Sequence, residues 1–312
     1  MHFAVIGAGA VGGYYGGRLA SHGNEVHFLY RSEYDYVKKN GVEVRSCYGD
    51  FKFRPLAYKS VFEMPRVDVV IVALKSFHTK YLTELLPPII NSETLILDIQ
   101  NGLGNEDFIA EHFGGDRIIA GSAFICSERI APGVISHTAE GTLKIGWYKP
   151  EGKDNSILEK VASIFKNCGV NALVNPRGIE IKWAKLIWNV AFNGLSVYYG
   201  GITTADILAD SEKTKFAERL MSEVIESAES DGVKLDSQLI EKNFSVTRSM
   251  NAYRTSMTVD FLKGRELEIS SMLDEPFRRG TSAGKNLPNM RELIRGVRAR
   301  VEERNLKLKG EE

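Results

Sequence analysis

Little in this chain marks it for an oxidising compartment, a bilayer or a nucleic acid. Its three cysteines, Cys47, Cys126 and Cys168, are scattered, odd in number and without metal-ligand spacing, which excludes a disulfide scaffold and a cysteine-built metal centre. They read as reduced structural thiols of a cytoplasmic protein. Neither sign of charge is in excess: 40 Lys+Arg stand against 40 Asp+Glu, so no basic surplus points to nucleic acid or an anionic membrane. No apolar run approaches the ~18 residues that a spanning helix needs. The N-terminus is apolar, yet it lacks the Lys/Arg region of a signal peptide. The histidines form no cluster, so no metal site is expected. What remains is a globular composition, 43% hydrophobic and 26% charged, which excludes disorder and collagen. A length of 312 residues fits two domains better than one.

The first forty residues carry the clearest pattern. A short apolar strand over 2–6 runs into Gly7-Ala8-Gly9-Ala10-Val11-Gly12, and small and apolar residues continue at helical spacing to Gly23-Asn24. A second strand follows over 25–30. Strand, G-x-G-x-x-G, helix and strand within about thirty residues is the context a dinucleotide fingerprint requires. Gly7 allows the tight turn, Gly9 lets pyrophosphate approach the backbone, and Gly12 lets the helix pack on the strand. The helix N-terminus then offers N–H groups and a positive dipole end to phosphate.

The end of the second strand selects the cofactor. An NAD site presents Asp or Glu there to accept from the ribose 2′-OH. Here the chain reads Tyr30-Arg31-Ser32, with no carboxylate before Glu33. A guanidinium suits a 2′-phosphate through paired, charge-assisted hydrogen bonds, so Arg31 points to NADPH. The plainer alternative is a solvated Arg31 and a Ser32 that caps the next helix.

Residues 67–74 (VDVVIVAL) form a β-branched run, as in a strand buried on both faces of a parallel sheet, and end in Lys75-Ser76. Residues 94–99 form another and end in Gln100-Asn101-Gly102. Both polar ends fall where open α/β sheets bind ligands, which makes Lys75 and Asn101 candidates. From 117 to 148 the pattern shifts to shorter β-like runs with a turn at Ala131-Pro132-Gly133, read as the far, partly antiparallel edge of the sheet. His137 lies in this stretch, where a lone histidine is usually structural. A helix over 155–167 closes the unit. The punctuation Asn175-Pro176-Arg177-Gly178 marks the boundary between a nucleotide domain, 1–175, and a second domain, 176–312, that reads as all-α.

The first helix of that second domain, 179 to about 196, is apolar nearly all round. Into it are set Lys185, Asn189 and Asn193, at i, i+4 and i+8. Successive members are offset by about 40°, so the three form one polar stripe. Burying a lysine and two amides without partners costs several kcal/mol, roughly, so the stripe should face a cleft, a water network or a substrate. An interdomain hydrogen-bond network is the structural alternative. Further on, Glu268 resembles any first-turn glutamate, and sequence physics alone does not select it.

Together these blocks resemble the ketopantoate reductase (2-dehydropantoate 2-reductase) family over almost the whole chain. The resemblance is carried by GAGAVG at 7–12, Arg31, Leu74-Lys75-Ser76, Gln100 to Gly104, the helix with Lys182-Trp183, Lys185, Asn189 and Asn193, and the block from Ser256-Met257 through Asp260 and Gly264-Arg265 to Glu268-Ile269. It implies an N-terminal Rossmann-type doubly wound sheet and a C-terminal helical domain with the active site between them. It implies reduction of the 2-oxo group of ketopantoate to pantoate with NADPH, a step toward pantothenate and coenzyme A. By the same resemblance Lys185 is the general acid, while Asn189, Asn193 and Ser256 hold the substrate. Asn101 then lies between nicotinamide and substrate, Lys75 and Ser127 contact the cofactor, and Glu268 bridges substrate hydroxyl and cofactor. The chemistry agrees. Hydride arriving at a carbonyl carbon develops charge on oxygen that needs a proton or a positive neighbour. A lysine supplies both, and burial draws its pKa toward the range where a general acid works.

Two stretches depart from the family pattern. The family often has Asn-Pro-Leu-Thr where this chain has Asn193-Gly194-Leu195-Ser196, and usually a small residue, often glycine, near Glu275. Neither removes a catalytic group, but both bear on pocket shape. Another branched 2-oxo acid is therefore the alternative substrate, and a non-catalytic NADP(H) sensor the alternative of a different class. Family analogy allows a monomer or a homodimer.

Overall fold

The computed structural model describes residues 1–310. It divides into two compact units, Met1–Ile181 and Lys182–Glu312.

The first unit is built on ten strands: β1 (Phe3–Ile6), β2 (Val26–Leu29), β3 (Val42–Ser46), β4 (Phe51–Phe53), β5 (Leu56–Tyr58), β6 (Val69–Val72), β7 (Leu95–Asp98), β8 (Ile118–Ala131), β9 (Val134–Trp147) and β10 (Ala172–Arg177). They form one sheet in the order β4-β3-β9-β8-β7-β6-β1-β2-β5, with β10 also paired to β9. From β5 to β8 all neighbours are parallel. The chain leaves β1 on one side, through β2 and β5, and returns on the other through β6 and β7, so the strand order reverses beside β1. That reversal is where a doubly wound sheet opens a ligand crevice.

The uniformly apolar strands have a simple cause. Phe3, Val5 and Ile71 join a core on one face with Phe28, Tyr15 and Phe165, while Ala4, Ile6, Val70 and Val72 join a second core on the other with Ile96 and Ile109. Side chains alternate along a strand, so a sheet covered on both faces needs apolar residues at every position.

The stretch 117–148 corrects the expectation of short runs at the far edge. It is one long antiparallel hairpin of two 14-residue strands, β8 and β9, lying inside the sheet between β7 and β3; β4 is the edge. Register shifts at Phe124/Ile125, Cys126/Ser127 and Arg129/Ala131 break the two-residue alternation, which is why the sequence reads as pieces. His137 sits in this hairpin as a structural residue. Its Nδ1 meets the Ser46 hydroxyl at 2.8 Å, and its Nε2 meets the carbonyls of Ala139 and Glu140 at 3.1 and 2.8 Å.

The second unit contains no strand among its described residues. It begins within a helix that runs from Gly178 to Tyr198 and has a π-helical turn, Asn189–Asn193, at its centre. Helices Ser211–Ala228, Gln238–Ser249, Ser256–Leu262, Glu275–Ser282 and Pro288–Gly310 follow, and a second π-helical turn, Ser270–Asp274, leads into the fourth of these. The second π turn has a local reason. Pro276 has no N–H to give, and its ring would meet the carbonyl four residues back, that of Met272, in a regular α-helix. A wider turn directly before it removes the conflict.

Candidate functional site

In the first unit, Ile6 pairs with Leu29 and with Val72, and Val72 with Asp98, so the carboxyl ends of β1, β2, β6 and β7 are level. The segment Gly7–Gly12, Arg31, Lys75 and Asn101 each follow one of these ends by one to three residues. One sheet edge thus collects the candidates the sequence had spread over a hundred positions.

The glycine turn is shaped for close approach. Gly7 has φ +102°, and a Cβ there would lie 2.5 Å from the carbonyl carbon of Ala73. A Cβ on Gly12 would lie 2.3 Å from the Gly7 carbonyl oxygen, so the helix Ala10–Ser21 packs tightly on its strand. Gly9, which caps that helix, is different: a Cβ there would meet nothing within 4 Å. Glycine is not required at that position by the protein's own packing. The open face above Gly9 adjoins first-turn N–H groups that have no intrahelical acceptor, which is the arrangement that binds pyrophosphate. Ser127, on the part of β8 that continues past Ala120, has a buried hydroxyl oxygen with no partner in the protein. Both features fit a bound dinucleotide.

Arg31 is exposed just beyond β2. The next carboxylate, Glu33, is already engaged: it pairs with Arg129 at 3.0 Å and accepts from the Gly133 N–H at 3.4 Å. Ser32 does not cap the following helix, Tyr34–Asn40, whose N-cap position is Glu33 with no side-chain cap bond. The plainer alternative for Ser32 is thereby removed.

Two residues that sequence reasoning did not single out hold the neighbouring loops. The Thr79 hydroxyl accepts from Gln100 Nε2 at 3.0 Å and donates to Asn105 Oδ1 at 3.0 Å. Gln100 Nε2 also donates to the Leu74 carbonyl, and Asn105 Nδ2 to the Asn101 carbonyl. Thr79, Gln100 and Asn105 are all buried. This network ties the loop carrying Lys75 to the loop carrying Asn101. Only Gln100 carries a sequence signal; Thr79 is a single polar residue in the 3-10 helix Ser76–Tyr81, and Asn105 one at the start of the helix Asn105–Phe113.

In the second unit, the helix bearing Lys185 is pinned by two indoles. Trp183 Nε1 donates to Asp231 at 2.8 Å, and Trp188 Nε1 to Thr247 at 2.9 Å. Lys185 itself is half-buried. Asn189 and Asn193 span the π turn and are 4% and 2% exposed. Asn193 Nδ2 donates to Asn189 Oδ1 at 3.2 Å; Asn193 Oδ1 accepts from the Met257 backbone N–H at 3.1 Å and from the Ser256 hydroxyl at 3.4 Å. The structure thus joins Asn189, Asn193 and Ser256 in one chain of bonds. Asn189 Nδ2 donates in turn to the Met272 sulfur at 3.7 Å. Glu268 is buried one turn before Met272, and its carbonyl accepts from the Met272 N–H. Met257 lies in the block that carries the resemblance, but its contact is a backbone N–H, which the residue type does not signal.

Family models for ketopantoate reductase PanE/ApbA match residues 3–150 and, for the C-terminal part, 179–301. The chain belongs to the ketopantoate reductase family. A 2-dehydropantoate 2-reductase of Nostoc sp. is 36% identical over 292 residues, covering 92% of this chain and 91% of that protein. The crystal structure of 2-dehydropantoate 2-reductase from Geobacter metallireducens GS-15 superposes with a TM-score of 0.93 at 34% identity, covering 96% of this chain and 99% of that one. One from Methylococcus capsulatus gives 0.87 at 33%, covering 99% and 97%. A D-mandelate dehydrogenase solved with NADH shares the fold at 22% identity. The protein is an oxidoreductase of the ketopantoate reductase type, with a nicotinamide cofactor and a Rossmann-like domain followed by a helical one. Among the described residues no helix is long and apolar enough to cross a membrane, and no group of three His, Cys, Asp or Glu is placed to hold a metal ion.

Proposed function

We propose that this protein reduces 2-dehydropantoate (ketopantoate) to pantoate with NADPH, with Lys185 as general acid. The observation that carries the substrate class is the buried amide chain. Asn189 and Asn193 each spend one N–H inside it, and each keeps a second that no residue of the described chain accepts within hydrogen-bond distance. Buried donors without acceptors are costly, so the pair calls for a ligand rich in acceptor oxygens, such as a 2-oxo acid.

When bound, the reduced nicotinamide supplies the hydride. The open face at Gly9 and the helix N-terminus behind it hold the pyrophosphate, and the lone Ser127 hydroxyl gives a further contact. Arg31 takes the 2′-phosphate, since Glu33 is occupied by Arg129 and Gly133 and is not free to receive a ribose hydroxyl. Asn189, Asn193 and Ser256 fix the carboxylate and hydroxyl ends of the substrate. The Lys185 ammonium neutralises the charge that grows on the carbonyl oxygen and delivers its proton there. Asn101 and Lys75, on loops tied by Thr79, Gln100 and Asn105, orient the nicotinamide side, and Glu268 receives the substrate hydroxyl.

A second reading, another branched 2-oxo acid, draws on one feature: a methionine sulfur, on a π turn set by Pro276, packs against the substrate-binding Asn189. Steady-state kinetics across a panel of 2-oxo acids separates the two. Ketopantoate at or near the top of the kcat/KM ranking supports the first; ketopantoate near the bottom supports the second.

A further inference from the structure

We propose that Met272 is a positioning residue: its thioether helps hold the Asn189 carboxamide in the orientation that Met257 and Asn193 begin, and so helps determine substrate affinity. What each group can donate or accept fixes the orientation. A carboxamide can face either way, but a backbone N–H can only donate. The Met257 N–H lies 3.1 Å from Asn193, so the atom it meets must be Oδ1. Asn193 Nδ2 is then turned toward Asn189, 3.2 Å away, and Asn189 must answer with Oδ1. That leaves Asn189 Nδ2 facing the Met272 sulfur at 3.7 Å. A thioether has lone pairs and no proton, so it can accept there and could not satisfy a flipped amide oxygen. Met272, 1% exposed, therefore closes the chain with the polarity that Met257 begins.

Polarity is what matters to a ligand. In this orientation each amide keeps an N–H to offer, and an anionic oxygen is the chemistry that answers it. A flipped Asn189 would offer an oxygen instead and repel a carboxylate. The backbone supports the assignment. Asn189 and Met272 sit on the two π-helical turns, Asn189–Asn193 and Ser270–Asp274, and Pro276 places the second. Such turns are frequent where a helix re-aims side chains at a functional site. No pattern of residue spacing would have drawn attention to a methionine on an apolar helix face.

The kinetic part of this inference rests on the 2-oxo acid reading above; the orientation part does not. The test compares wild type, Met272→Leu, which keeps the volume and loses the acceptor, and Met272→Gln, which restores an acceptor oxygen. Two measurements are made on each folded, Tm-matched protein. The first is the side-chain amide resonance of Asn189 in the substrate-free protein, assigned by its loss in Asn189→Asp. The second is KM for the best 2-oxo acid alongside kcat and NADPH affinity. The expected result is a moved Asn189 resonance in the Leu variant and a KM raised about 3- to 10-fold, the worth of one ordinary hydrogen bond. NADPH affinity stays unchanged, and Gln recovers both signals. An unmoved resonance with unchanged KM in Met272→Leu overturns the proposal, as does an equal loss in Leu and Gln, which would mean packing alone. If wild type turns over no 2-oxo acid, the functional reading falls and the amide resonance still decides the role of Met272.

Discussion

A Cβ on Gly7 would lie 2.5 Å from the carbonyl carbon of Ala73, whereas a Cβ on Gly9 would touch nothing within 4 Å. Two glycines of one motif therefore differ: the fold itself demands the first, and on the proposed function a ligand demands the second. Gly7→Ala should destabilise the protein by about 2–4 kcal/mol, from overlap and from a φ that alanine resists. Gly9→Ala should leave Tm unchanged and weaken NADPH binding about tenfold or more, because the new methyl stands where pyrophosphate approaches. Thermal unfolding and fluorescence titration on both variants check the pair. A Gly9→Ala protein that binds NADPH normally contradicts the placement of the phosphates.

Arg31→Asp should shrink the preference for NADPH over NADH about 10- to 100-fold, the loss of a charge-assisted contact to the 2′-phosphate. The comparison is KM for each cofactor in wild type and variant. Equal use of the two cofactors by wild type would remove Arg31 from the role.

The buried Ser196 hydroxyl has no partner, one helical turn after Asn193. An unsatisfied buried hydroxyl costs more than it returns, so Ser196→Ala should raise stability by about 1 kcal/mol. Chemical denaturation measures it; a loss of stability would show that the hydroxyl is satisfied in solution.

Burial holds the His137 imidazole below its ordinary pKa of 6.5, helped by the nearby charge of Arg18, although the carbonyls of Glu140 and Ala139 oppose the shift. The unfolded chain then takes up a proton at a pH where the folded one does not. Stability is fully present above the ordinary histidine range and declines as pH falls through it. Melting temperatures between about pH 7.5 and about pH 5.5 should drop, and His137→Gln should flatten that slope. An identical slope in the variant would assign the effect elsewhere.

The parts of the molecule legible in its sequence are those where one residue type answers to one local demand. The Gly7–Gly12 turn, the runs ending at Lys75 and Asn101, and the helix holding Lys185, Asn189 and Asn193 are of that kind. The hairpin of β8 and β9 reads as fragments in the sequence because its bulges scramble the alternation. The short strands β3, β5 and β10 owe pairing to partners far along the chain, in β9, β2 and β9, while β4 pairs only with its neighbour β3. The two π turns left no periodic mark. Met257 contributes a backbone N–H, which every residue but proline has, and Met272 a sulfur on what reads as a core position.

The most direct test of the whole account follows NADPH absorbance with ketopantoate present, for wild type and Lys185→Ala. Wild type should oxidise NADPH only when the 2-oxo acid is added and yield pantoate. The variant should bind NADPH as before and lose about 10²- to 10⁴-fold in kcat, the usual worth of a general acid. A wild type inert toward ketopantoate, or a variant with near-normal kcat, would contradict it.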